Sequence, residues 1–258
     1  MATVGRRTRE IPLSEYPTGD GKPMAETPVH RMIMTALIDV LEMRYAPDPM
    51  VYVSGNMLMH YVRNDKRRHH SPDVFLVKGI PKEGRRDAYF VWIEGKGPDV
   101  VFEITSRSTR KEDLVTKYGL YQDVLRVSEY FLFDPYEEYR KPSLQGFRLQ
   151  QGVYVRIEPV EGRLYSEELG LWLEREGTML RFVDPVTGER LLTSREQKEI
   201  EEAARRQAEA ARRQAETERV QMADSLRQAE AARRQAEEEW DRMRRELEEL
   251  RRKTRKRT

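Results

Sequence analysis

Cysteine is absent from all 258 residues. That excludes a disulfide framework, a thiolate metal site and a cysteine nucleophile, and it suits a reducing compartment. Long apolar runs are missing as well, since none approaches the ~20 residues that a membrane span needs. The opening stretch, MATVGRRTREIPLSEYPTGDG, lacks the apolar core of a secretory signal. The expectation is a soluble, cytoplasmic protein with no membrane partner. Charge of one sign is also scarce: 47 Lys/Arg against 45 Asp/Glu leave a formal net charge of +2. Net charge therefore does not announce a strongly basic nucleic-acid binder.

What is abundant is charge of both signs. Asp, Glu, Lys and Arg make up 36% of the chain, against the ~25% usual in globular proteins. The excess sits at one end. From Ser194 onward there are 19 Lys/Arg and 16 Asp/Glu, and Trp240 is the only aromatic residue. The 193 residues before that point have an ordinary composition and can bury roughly 70% of their unfolded surface. Residues 1–23 read as a flexible leader broken by Pro12, Pro17, Gly19, Gly21 and Pro23. Residues 24–193 read as one domain, and 194–258 as a charged helix ending in the basic cluster RRKTRKRT. That cluster can touch nucleic acid or remain a solvated, frayed end.

Within the domain, Thr27-Pro28 is a capping residue followed by proline at the first helical position. Val29, Met32, Ile33, Ala36, Leu37, Val40 and Leu41 then recur at helical spacing. Short β-rich runs follow at 50–53, 57–62, 73–77, 89–93 and 99–105, separated by turn signals such as Gly55-Asn56 and Asn64-Asp65. A second helix is expected from Thr109, with Glu112 completing a capping box and Leu114, Val115, Tyr118, Tyr121, Val124 and Leu125 as its apolar face. YFLFD (130–134) reads as a buried strand, and FRLQ, VYVRI, LWLE and MLRFVD as hairpin strands. The order helix, antiparallel meander, strand, helix, strand gives a mixed α/β domain with a central sheet.

The tail repeats itself: RQAEAARRQAE occurs at 206–216 and again at 227–237, three heptads on. Met222, Leu226, Ala229, Ala236, Trp240, Met243, Leu247 and Leu250 fall on a coiled-coil seam interrupted by Arg233, so a homo-oligomer is expected. The other reading is a lone helix held by pairs such as Glu209–Arg213 and Glu230–Arg234.

One residue breaks the pattern of its strand. Glu103 lies between Phe102 and Ile104, where a buried strand calls for another apolar side chain, and an ionised carboxylate there is costly unless compensated. Alternation puts Asp99 on its face, Asp73 opens another strand of the same sheet, and Lys117 lies downstream. Two carboxylates and a lysine at a sheet edge make a hard-oxygen cation site that can act on a phosphodiester. Lys117 would orient the attacking water or neutralise charge developing on the phosphate. The structural alternatives are a turn acid for Asp73, a strand-start residue for Asp99 and a solvated lysine for Lys117. His69 and His70, beside Lys66, Arg67 and Arg68, read as metal ligands or as part of a phosphate-facing or solvent-facing loop.

An aspartate, a later glutamate and a nearby lysine resemble the PD-(D/E)XK nuclease superfamily. The longer texts SPDVFLVKGIPKE, VFEITSRSTRKEDLVTKYGLYQDV, EYFLFDP and SEELGLWL, with VHRMI and SGNMLMHY upstream, resemble the Uma family of restriction-endonuclease-like bacterial proteins. The similarity runs from about Glu26 to Thr193. It implies a restriction-endonuclease-like central mixed sheet flanked by helices, and a DNA endonuclease using Mg2+, with Mn2+ as the alternative ion. Carried over by residue, it implies that Asp73 and Glu103 bind metal and that the backbone carbonyl of Ile104 is a further ligand. The superfamily lysine would fall on Thr105, and its place is taken by Lys117. Glu26 matches a supporting acid, and Tyr121 packs beside Lys117. A rival reading keeps the nuclease-like fold but makes the chain a binding or assembly protein that works through its coiled coil.

Overall fold

In a computed structural model of the chain, residues 10–19, 27–105 and 116–255 are described. The chain divides into two compact units, Met1–Glu196 and Gln197–Thr258.

The first unit opens on helix α1 (Pro28–Arg44), whose N-cap Thr27 accepts the N–H of His30. Strands β1 (Val51–Ser54), β2 (Met59–His60), β3 (His69–His70), β4 (Val74–Lys78) and β5 (Tyr89–Phe90) follow. The expected strand over 89–93 stops after two residues and becomes a single helical turn, α2 (Val91–Glu94). Gly95 closes that turn at φ 84°, with its N–H on the carbonyl of Val91, a left-handed cap that glycine adopts without a Cβ clash. After β6 (Val100–Ile104) the expected start of the next helix, with the Thr109 and Glu112 capping box, lies outside the described residues. Residues 116–119 are helical and run into a π turn, Leu120–Val124. Strands β7 (Glu129–Phe133), β8 (Leu144–Gln150), β9 (Val153–Arg156), β10 (Leu164–Ser166), β11 (Leu171–Glu176) and β12 (Met179–Val183) complete the unit.

Six strands form a mixed sheet in the order β1-β4-β6-β7-β8-β9, in which only the β6–β7 pair is parallel. Strict alternation divides its side chains between two cores. Val74, Leu76, Val100, Phe102 and Ile104 pack with Ile33, Leu37 and Leu41 of α1 and with Leu171, Leu173 and Phe182 of the β10-β11-β12 sheet. Phe75, Val77 and Val101 point the other way, toward Met59, Tyr89, Tyr121 and Tyr130. A small sheet, β3-β2-β5, lies in the same part of the chain as Met59 and Tyr89.

Helix α3 (Ser194–Arg255) is 62 residues long, or about 93 Å at 1.5 Å per residue; its first three residues belong to the first unit and the rest to the second. It carries the expected Glu209–Arg213 pair at 2.7 Å. The expected Glu230–Arg234 pair is not formed; Arg233 reaches Glu237 instead, at 3.0 Å. Met222 and Trp240 on the apolar seam are 77% and 67% exposed. No described helix is long and apolar enough to cross a membrane.

Candidate active site

The register of the central sheet explains why the two acids meet. Val74 of β4 pairs with Phe102 of β6, so one step further out Asp73 stands opposite Glu103. Both share the parity of Phe75 and Val101 and therefore project from the same face. Like charges directly opposite on neighbouring strands destabilise a sheet, so each carboxylate needs donors.

Glu103 is 1% exposed and finds three. Lys117 Nζ lies 2.7 Å from Oε2, and His70 Nε2 lies 3.2 Å from Oε1. The Tyr121 hydroxyl also donates to Oε1. Lys117 and Tyr121 are four residues apart, the helical spacing that puts two side chains on one face. Burial would raise the carboxyl's pKa, but the Lys117 ammonium and the His70 hydrogen bond overcome it and hold the group at about 2. Tyr121 moves the opposite way. Burial and the adjacent Glu103 charge push its phenol well above the ordinary range, so it stays a donor.

Asp73 is arranged differently. Its Oδ2 accepts the N–H of Ile104 at 2.7 Å and meets His30 Nε2 at 3.1 Å. No hydrogen bond reaches Oδ1 among the described residues, and the side chain keeps 18% of its surface. Burial and the Glu103 charge raise its pKa, against the pull of His30. Two neighbouring carboxylates pushed in opposite directions is a pattern typical of functional sites. The turn beside Asp73 depends on Gly55: a Cβ there would come within 2.2 Å of the Asp73 carbonyl oxygen.

Of the expected site residues, Asp73, Glu103, Lys117 and Tyr121 converge, and the backbone of Ile104 joins them. Asp99 does not. It is on the same face but at the far end of β6, about 13 Å away at ~3.3 Å per residue. There it accepts the Lys78 N–H at 2.6 Å and pairs with Lys96 at 2.7 Å. Glu26 lies outside the described residues. His69 turns to the Lys66 carbonyl at 2.8 Å. Sequence reasoning missed the roles of His30 and His70. His30 had a visible signal, since it precedes Ile33 by three and Leu37 by seven and so sits on the apolar stripe of α1. His70 lies in a two-residue strand, too short to show a period.

Other buried acids do not share this character. Glu129 is fully buried, but Arg148, the Ser166 hydroxyl and the Glu167 and Glu168 N–H groups satisfy it. Among the described residues, no three His, Asp or Glu side chains gather as a ready-made metal cage.

Residues 8–179 match the Uma2 family, whose description reads "Putative restriction endonuclease". A crystal structure titled as a putative nuclease belonging to DUF820 from Anabaena variabilis is similar at 19% identity. The match covers 54% of this chain and 75% of that one, with a TM-score of 0.38. No curated protein matches the chain.

Proposed function

The chain belongs to the Uma2 family, and from that premise we propose that its globular unit hydrolyses phosphodiester bonds in DNA with a divalent cation. Mg2+ is the default ion and Mn2+ the alternative. The observation that carries the reading is the opposed Asp73–Glu103 pair with the buried Lys117 on one of its carboxylates. A fold has no structural need for two facing acids on adjacent strands, and a cation between them would relieve the repulsion.

The donor set fits such an ion. Mg2+ is commonly held by one or two carboxylates and keeps several waters and substrate phosphate oxygens. Asp73, through its open Oδ1, Glu103 and the Ile104 carbonyl would supply the protein's share. When bound, the ion would polarise the phosphate and make water a stronger nucleophile. The chain's own residues do the rest. Tyr121 and His70 fix the Glu103 carboxylate, and His30 and the Ile104 N–H fix Asp73. Lys117 orients the attacking water and offsets charge that builds on the phosphate oxygens. As the new P–O bond forms, the opposite P–O bond breaks, and the water's proton ends on the departing alkoxide.

Support for a nucleic-acid substrate comes from the β2–β3 hairpin. Its tip carries Arg63, Lys66, Arg67 and Arg68, and its second strand delivers His70 to Glu103. A basic loop beside a phosphodiesterase site suits a phosphate backbone. For α3, the heptad seam from Met222 to Leu250, exposed at Met222, Leu226, Trp240, Met243 and Leu247, supports self-association into a homo-oligomer.

The test is nicking of supercoiled plasmid by the full chain in Mg2+, Mn2+ or chelator, beside Asp73→Asn. The expected result is metal-dependent nicking, reduced on the order of a hundredfold by the substitution. Nicking in chelator, or undiminished nicking by Asp73→Asn, would contradict the assignment. Plasmid binding with no nicking under any condition would favour the binding-protein reading.

A further inference from the structure

Arg140 is 6% exposed, yet no carboxylate pairs with its guanidinium among the described residues. Its Nε donates to Thr105 Oγ1 at 3.2 Å, while Nη2 is buried with no hydrogen-bond partner. Asp134 is the nearest acid in sequence, but it spends its carboxylate on backbone N–H groups of Tyr136, Tyr139 and Arg140 itself. A buried charge left this way is expensive, and protein interiors rarely keep one without a use. By contrast, Arg148 engages Glu129 and Glu167 at 2.9 and 2.6 Å.

The place of Arg140 narrows that use. Thr105 continues the β6–β7 ladder, its N–H on the Phe133 carbonyl at 2.7 Å, so alternation sets its side chain on the Glu103 face. Two residues of strand separate Thr105 from Glu103, about 7 Å. The guanidinium is therefore anchored through Nε just beyond the acid pair, with its remaining N–H donors in hand. A fork of that kind matches the oxygens of a phosphate.

We propose that Arg140 is a phosphate-contacting residue, donating from its Nη groups to a non-bridging oxygen of the phosphodiester held at Asp73 and Glu103. The proposal rests on the phosphodiesterase reading for its substrate, but the anion site can be tested without turnover. Lys117 neutralises Glu103, and Arg140 meets the substrate's charge. Thr105 is a positioning residue that directs the guanidinium.

The test is thermal unfolding of the full chain in inorganic phosphate against chloride at equal ionic strength, without metal, for the parent, Arg140→Met and Arg140→Lys. Phosphate is expected to raise the Tm of the parent. Arg140→Met should unfold at a higher temperature than the parent in chloride, because an uncompensated buried charge is gone, and should not respond to phosphate. Arg140→Lys should keep part of the response. With a cleavable duplex, Arg140→Met should raise KM several-fold. An unchanged phosphate response in Arg140→Met overturns the proposal; if that variant does not fold, an Arg140→Lys response equal to the parent's does so. A phosphate response that needs Arg140 in a chain that cleaves nothing keeps the anion site and removes the hydrolase reading. Normal cleavage and an unaltered phosphate response in Arg140→Met do the reverse.

Discussion

Glu103 gives up its hydration entirely, and three donors from two segments replace it: Lys117 and Tyr121 on the helical stretch that ends in the π turn, and His70 on β3. Removing one member of a buried ion pair costs more than removing both, because the survivor is left desolvated. Glu103→Gln takes from Lys117 its buried carboxylate, and Lys117→Met takes from Glu103 its ammonium. Each should lower unfolding free energy by about 3 kcal/mol, and the double substitution should lose less than the sum. Urea titrations of the four proteins give the coupling, and strict additivity would contradict the buried pair. The acid limb provides a second check. The Glu103 carboxyl is held at about 2 in the folded chain, below its ordinary value of 4.5. Its stabilisation is therefore complete above pH 4.5 and is lost as pH falls through about 2. The stability gap between parent and Glu103→Gln should narrow over that window.

At the scale of elements, what the sequence showed depended on whether a local pattern was long enough. Seventeen residues of α1, with a cap and a stripe, announced themselves, as did the alternation of β6 that exposed Glu103 as misplaced. Short pieces did not. The run at 89–93 has β composition, but Gly95 closes a helical turn against it. The two-residue β3 shows no period, so the pairing of His70 with Glu103 comes only from long-range register. Asp99 shared the right face but sits at the wrong end of its strand, and alternation alone cannot separate the two cases. Arg140 was invisible because its meeting with Thr105 spans 35 residues. The first three residues of α3 belong to the first unit. Ser194 donates to Asp39 at 2.6 and 2.8 Å, and Glu196 pairs with Arg181 and Arg190 at 2.9 and 3.5 Å. A chain ending after Glu196 should fold cooperatively, whereas one ending after Thr193 should melt several degrees lower, on the order of 1–2 kcal/mol for the lost cap and pair. Equal melting temperatures would show that these contacts add nothing.

At the scale of the whole molecule, the acid cluster and the exposed heptad seam fall in different units. The buried acids, lysine and histidines lie in Met1–Glu196, while Met222, Leu226, Trp240, Met243 and Leu247 are exposed on Gln197–Thr258. Apolar residues at three-and-four spacing on an otherwise charged helix are costly to leave in water, and a second helix with the same seam would cover them. Trp240→Asp combined with Leu247→Asp should lower the sedimentation mass to that of a single chain without changing the melting of the globular unit. If the mass is unchanged, α3 is a lone helix held by its i,i+4 ion pairs.

The most direct measurement is the thermal unfolding of the full chain with and without millimolar Mn2+ or Mg2+, beside Asp73→Asn. An ion that binds only the folded state stabilises it by about 2.7 kcal/mol when present at a hundred times its Kd. The parent should therefore melt several degrees higher with metal. Asp73→Asn should melt at or above the parent without metal, since the raised pKa of Asp73 marks an ionised form that costs stability at neutral pH, and metal should not move it. An equal metal-induced shift in both proteins, or none in either, would contradict a cation site between Asp73 and Glu103.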